Sequence, residues 1–192
     1  MVISKRAVIV GIPGVGKTTV ISKVSEILKE RMMDVEHVVF GTIMFEEATK
    51  MGVKDRDEMR KLPVERQKEL QVAAALTIAK AKSPITLIDT HLFIKTKEGY
   101  WPGLPGHVID SLSPTNLILV EASPGEIISR RENDATRSRD VVSAASIEDE
   151  LAVGRRILAT AGVLAGAPIM TVKNEEGKID TAAAKIADSL VS

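Results

Sequence analysis

Residues 11 to 19 read Gly11-Ile12-Pro13-Gly14-Val15-Gly16-Lys17-Thr18-Thr19, two glycines five apart followed by lysine and a hydroxyl residue. This is the phosphate-loop pattern. The preceding Ala7-Val8-Ile9-Val10 carries no charge and suits a strand buried on both faces. The following stretch places Val20, Ile21, Val24, Ile27 and Leu28 at helical spacing. Strand, glycine loop and helix therefore come in the order an anion cradle requires. The glycines let successive N–H groups converge on phosphate oxygens, and the helix that begins near Lys17 aims its positive dipole end at them. In this reading Gly11 to Thr19 hold the phosphates of a nucleoside triphosphate. Lys17 reaches the β and γ phosphates, the Thr18 hydroxyl completes the coordination of Mg²⁺, and Thr19 caps the helix or touches the α phosphate.

Working outward, His37-Val38-Val39-Phe40 reads as a second strand ending at Gly41-Thr42, and Ile85-Thr86-Leu87-Ile88 as a third ending at Asp89. Between them Pro63 suits a first helical position, and Leu70, Ala73, Ala74, Ile78 and Ala81 mark an apolar stripe. Further strands are expected at 117–120 and 169–172, and a last helix from about Asp180 with Ile179, Ala182, Ala183, Ile186, Ala187 and Leu190 on one face. Short apolar strands alternating with longer amphipathic helices argue for an α/β fold, a parallel sheet covered on both sides by helices. Residues 96–106, rich in Gly and Pro, show neither period and read as an ordered functional loop.

The length of 192 residues suits one domain. Acidic and basic residues balance at 26 each, so nothing in the overall charge asks for a nucleic acid or an anionic membrane, and a phosphate ligand must be held by local basic clusters. The absence of cysteine excludes disulfides, zinc-thiolate sites and a thiol nucleophile. Met1 leads almost directly into the first strand and no apolar run approaches spanning length, so a soluble, cytoplasmic protein is expected.

Asp89 closes a strand whose carboxyl end should lie beside the phosphate loop, where an acid can hold Mg²⁺ directly or through water; the alternative is an aspartate capping the next segment. Residues 130–140 hold Arg130, Arg131, Arg137 and Arg139, whose planar forks suit phosphate oxygens. Folded over a transferring phosphoryl group they could stabilise its charge while excluding water. The alternative is a solvated loop pairing with Glu132, Asp134 and Asp140. No obvious general base accompanies them, as suits an acceptor that is already an oxyanion.

The segments Phe40-Gly41-Thr42, Asp55-Arg56-Asp57-Glu58-Met59-Arg60-Lys61-Leu62, Asp89-Thr90-His91, Gly99-Tyr100-Trp101-Pro102-Gly103-Leu104-Pro105 and Asp134-Ala135-Thr136-Arg137-Ser138-Arg139-Asp140, together with the phosphate loop, resemble archaeal-type adenylate kinases over nearly the whole chain. The resemblance implies a P-loop NTPase three-layer fold, a five-stranded parallel sheet flanked by helices with a short lid at about 131–145, and an AMP-binding insertion at about 42–82. It implies the reaction ATP + AMP ⇌ 2 ADP, dependence on Mg²⁺, and a homotrimer. Carried over by position, Lys17, Arg130, Arg137, Arg139 and Arg155 are catalytic, and Thr18 and Asp89 serve the metal. Gly41, Thr42, Arg60, His91 and Lys95 form the AMP site. The Gly-Phe-Pro-Arg of bacterial and eukaryotic relatives is replaced by Thr90-His91-Leu92-Phe93, so Arg60, Lys95 or His91 must take the place of the missing arginine. Glu150 and Gly154 stand where a His and an Asn are expected around Arg155. Competing readings are a phosphate-loop kinase for another nucleoside monophosphate or small metabolite, and a regulatory ATPase; the absence of an Asn-Lys-x-Asp motif argues against a GTPase switch.

Overall fold

A computed structural model describes residues 4–133 and 143–191. Five parallel strands form the central sheet: β1 (Lys5–Val10), β2 (Val35–Val39), β3 (Ile85–Asp89), β6 (Asn116–Glu121) and β7 (Ile169–Lys173), in the order β2-β3-β1-β6-β7. Every residue of β3 and β6 is buried, which explains why these mainly apolar segments show no alternation of apolar and polar residues. Ile9 aligns with Asp89 between β1 and β3, and Val39 with the same aspartate between β2 and β3.

The two faces of the sheet sort the strand residues by parity. Ala7, Ile9, Leu87, Ile118 and Val120 pack with α1 (Lys17–Glu30) and α8 (Ile179–Val191). Val8, Val10, Ile88, Leu117 and Leu119 pack on the opposite face with α4 (Val64–Ala79), α5 (Gly106–Leu112) and the second half of α7 (Ala144–Ala165). A smaller cluster of Ala48, Val53, Met59 and Leu70 joins α2 (Phe40–Lys50) and α3 (Arg56–Arg60) to α4, away from the sheet. The remaining helix, α6 (Pro124–Glu132), opens with a capping box in which Ser123 and Glu126 satisfy each other's backbone N–H.

Four local expectations change. Phe40 heads α2 and does not end β2, because its ring is drawn into the core under α4. Pro63 is the residue before the first helical one, its ψ of 146° being extended. α4 closes at Ala79, two residues short of Ala81. Residues 96–106 are not a loop throughout: β4 (Phe93–Thr96) and β5 (Gly99–Pro102) form an antiparallel hairpin, and α5 begins at Gly106. The hairpin turns at Gly99, whose φ of 127° favours glycine, and the Phe93 and Tyr100 rings meet edge-on at 4.8 Å. Gly103 donates its N–H to the Leu92 carbonyl at 2.8 Å, and a Cβ there would run into the His91 carbonyl oxygen.

Candidate active site

The phosphate loop lies between the carboxyl ends of β1, β3 and β6. Thr90 donates its N–H to the Ile9 carbonyl at 3.3 Å, and a Cβ on Gly11 would stand 2.7 Å from the Val120 carbonyl oxygen. Gly14 and Gly16 have φ of 94° and 78°, left-handed conformations that let the chain curl into the N-terminus of α1. The N-cap residue of that helix is Gly16, which has no side chain with which to cap the first N–H groups.

Lys17, the first residue of α1, makes an ion pair with Asp89 at the end of β3. Both side chains are largely buried, at 13% and 10% exposure. Burial pushes the Lys17 ammonium down to about 8. The same positive charge and partial burial push the neighbouring His37 on β2 below its ordinary value, burial being the larger cause. Thr18 and Thr19 follow Lys17 with their side chains exposed. Among the described residues no group of three or more His, Cys, Asp or Glu could enclose a metal. A phosphate-bridging Mg²⁺ needs none, since it takes one or two protein oxygens and completes its shell with phosphates and water. The Thr18 hydroxyl and Asp89 carboxylate are oxygen donors of that kind.

α6 braces the loop from the side. Arg130 donates to the carbonyls of Val15 at 3.3 Å and Asn174 at 3.1 Å, and lies 3.5 Å from Glu126. Arg131 donates from Nε to the Pro13 carbonyl at 2.9 Å and from Nη2 to Glu150 at 3.3 Å. Arg155, on α7, grips the buried Glu121 at the end of β6 with two bonds of 2.7 and 3.0 Å. Arg137 and Arg139 lie outside the described residues.

The expected acceptor residues fall into two groups. Arg60, His91 and Lys95 line one cleft of about 370 Å³ together with Pro13, Phe93, Arg131 and Glu150. The β4 strand carries Lys95 to this cleft, 3.7 Å from Glu150, while Arg60 is paired at 2.7 Å with Asp57. Gly41 and Thr42 sit instead in the first turn of α2. There Arg56 donates to the Gly41 carbonyl at 3.2 Å and the Thr42 hydroxyl at 3.1 Å, and lies over the Phe45 ring.

Sequence reasoning missed Arg56, Glu121, Glu150 and Asn174 as partners in the site. Arg56 stood within a charge run that reads as a surface feature. Glu121 carried the one available signal, an acid at the end of an otherwise apolar strand. Nothing local marks Asn174.

A family model described as an AAA domain matches residues 10–148. Adenylate kinases of Methanococcus aeolicus, Methanocaldococcus jannaschii and Sulfurisphaera tokodaii are 44%, 43% and 44% identical to this chain. The alignments cover 92%, 97% and 97% of this chain and 92%, 98% and 100% of the relatives. Among solved structures, the shikimate kinase of Bacteroides thetaiotaomicron superimposes with a TM-score of 0.62 over 98% of this chain and 99% of its own, at 14% identity, a likeness of fold alone.

Proposed function

The chain belongs to the adenylate kinase family and is a nucleoside monophosphate phosphotransferase, and we propose that its cleft transfers the γ-phosphoryl group of ATP to AMP, ATP + AMP ⇌ 2 ADP, with Mg²⁺. The observation that carries this reading is Lys17 held against Asp89 where the loop meets the end of β3. A buried ammonium beside the N-terminus of α1 and an acid one strand away suit a triphosphate tail with its divalent cation.

The loop N–H groups from Gly11 to Thr19 and the end of α1 bind the donor phosphates. Lys17 exchanges the Asp89 carboxylate for β- and γ-phosphate oxygens. Thr18 and Asp89 would hold the Mg²⁺, which would supply neutralising positive charge there. The acceptor needs no general base because its phosphate is already an oxyanion, so positioning and charge carry the catalysis. Arg60, His91 and Lys95 face the AMP phosphate across the cleft beside Pro13, and Gly41 and Thr42 bound the acceptor side within an AMP-binding insertion at about 42–82. Arg130 and Arg155, with Arg137 and Arg139 from the short lid at about 131–145, supply positive charge to the group in transfer. The family resemblance supports a cytoplasmic homotrimer, which sedimentation equilibrium tests. No helix among the described residues is long and apolar enough to cross a membrane.

The test is direct: ATP, AMP and Mg²⁺ with purified protein yield ADP, read by chromatography against a panel of other monophosphates and small metabolites. Preference for another acceptor moves the assignment to that substrate, and triphosphate hydrolysis indifferent to any acceptor makes the protein an ATPase.

A further inference from the structure

The residue that follows β7, Asn174, is buried to 6% exposure yet carries a side-chain amide that reaches across the fold. Its Nδ2 donates to the Val15 carbonyl at 2.9 Å, 159 residues away in sequence. The same nitrogen stands 2.5 Å from the point where a Cβ on Gly16 would lie. Its backbone is tied down on both sides: its N–H donates to the Glu121 carbonyl at 2.7 Å, and its own carbonyl accepts from Arg130 Nη2 at 3.1 Å. The segment after it is held as well, through the Glu176 N–H donated to Glu126 at 2.6 Å. Arg130 Nη1 shares the Val15 carbonyl at 3.3 Å.

We infer that Asn174 is a positioning residue for the donor site: with Arg130, it clamps the Val15 carbonyl and so holds the phosphate loop in its anion-binding shape before a nucleotide arrives. The physical reason lies in the peptide units of the loop. A cradle binds phosphate through N–H groups, and a carbonyl turned toward the ligand would repel it. Two donors on the Val15 oxygen fix that carbonyl on the Asn174 side of the loop. The left-handed Gly16 leaves the room that the amide occupies. A preshaped site also avoids the ordering cost of gathering the loop when ligand binds. The role rests on the reading that this loop takes the triphosphate, and it concerns ATP rather than AMP, since every contact of Asn174 described above is with the donor side.

The experiment measures KM for ATP and for AMP separately, with calorimetric titration of ATP and Mg²⁺, on the wild type and on Asn174→Ala and Asn174→Leu. The leucine keeps roughly the size and removes the donor without adding a charge beside the phosphates, so it serves where alanine opens a void that impairs folding. Losing a buried hydrogen-bond donor to a carbonyl predicts about a tenfold weakening of ATP binding. The KM for AMP stays within about twofold, even where the melting temperature without ligand falls by the few degrees that a lost buried hydrogen bond costs. Unaltered ATP affinity in both variants, or parallel losses for ATP and AMP that track a fall in melting temperature, overturns the inference. Failure of the wild type to bind ATP overturns the underlying reading of the loop instead.

Discussion

Lys17 and Asp89 form an ion pair that joins the first turn of α1 to the last residue of β3. Parallel pairing places Asp89 level with Ile9 on one side and Val39 on the other, so the carboxylate emerges at the carboxyl end of the sheet, where the phosphate loop begins. In the proposed reading, the pair marks the place where a nucleotide's charge is received.

Replacing Lys17 with alanine removes the positive charge nearest that point. The expected result is a fall in kcat of about a thousandfold, the scale of losing one preorganised electrostatic contact in a desolvated site. The far-ultraviolet circular dichroism spectrum should keep its native form. Turnover near the wild-type rate would remove Lys17 from the chemistry.

The depressed Lys17 ammonium predicts an alkaline limit to catalysis. Because its value in the free protein is about 8, kcat/KM for ATP should fall as pH rises through that region, tending to tenfold per pH unit above it. The charged form is the active one, so the limb descends on the high-pH side. Bound phosphate favours the ammonium, so kcat should hold to higher pH than kcat/KM. A kcat/KM profile flat to pH 10 contradicts the assignment.

Lys95 reaches the cleft proposed to take the acceptor from the β4–β5 hairpin. Lys95→Ala should raise KM for AMP several-fold, the range of one lost charged hydrogen bond. The KM for ATP should remain near its wild-type value. An effect confined to ATP would relocate the acceptor.

Arg155 is half exposed, but the carboxylate it holds is not: Glu121 is 3% exposed. Arg155→Met should lower stability by about 2 kcal/mol in urea unfolding, because it strips a buried carboxylate of both its charged bonds. Glu121→Gln in addition should recover part of that loss, since the stranded charge is then gone. If the single variant unfolds like the wild type, the pair is not a structural tie.

The sheet and loop were legible because buried parallel strands and the glycine spacing are local patterns. Asp89 was found for the same reason, as a charged residue ending an apolar run. The hairpin from Phe93 to Pro102 was hidden because its strands have four residues each, and its Gly and Pro content mimics a loop. Phe40 was misplaced because an aromatic residue after three strand residues continues a strand pattern, whereas core packing under α4 starts a helix there. Asn174, Glu150 and Arg56 gain their meaning from partners brought near by folding. The 159-residue separation between Asn174 and Val15 leaves no periodicity to read.

Phosphorus magnetic resonance on equimolar ATP and AMP with Mg²⁺ addresses the central claim, run with wild type and with Lys17→Ala. The account predicts that the wild type builds up ADP from both nucleotides to an equilibrium mixture without releasing inorganic phosphate, and that the variant leaves both reactants nearly untouched over the same time. Free phosphate appearing while AMP is unchanged, or ADP forming equally fast in the variant, would contradict it.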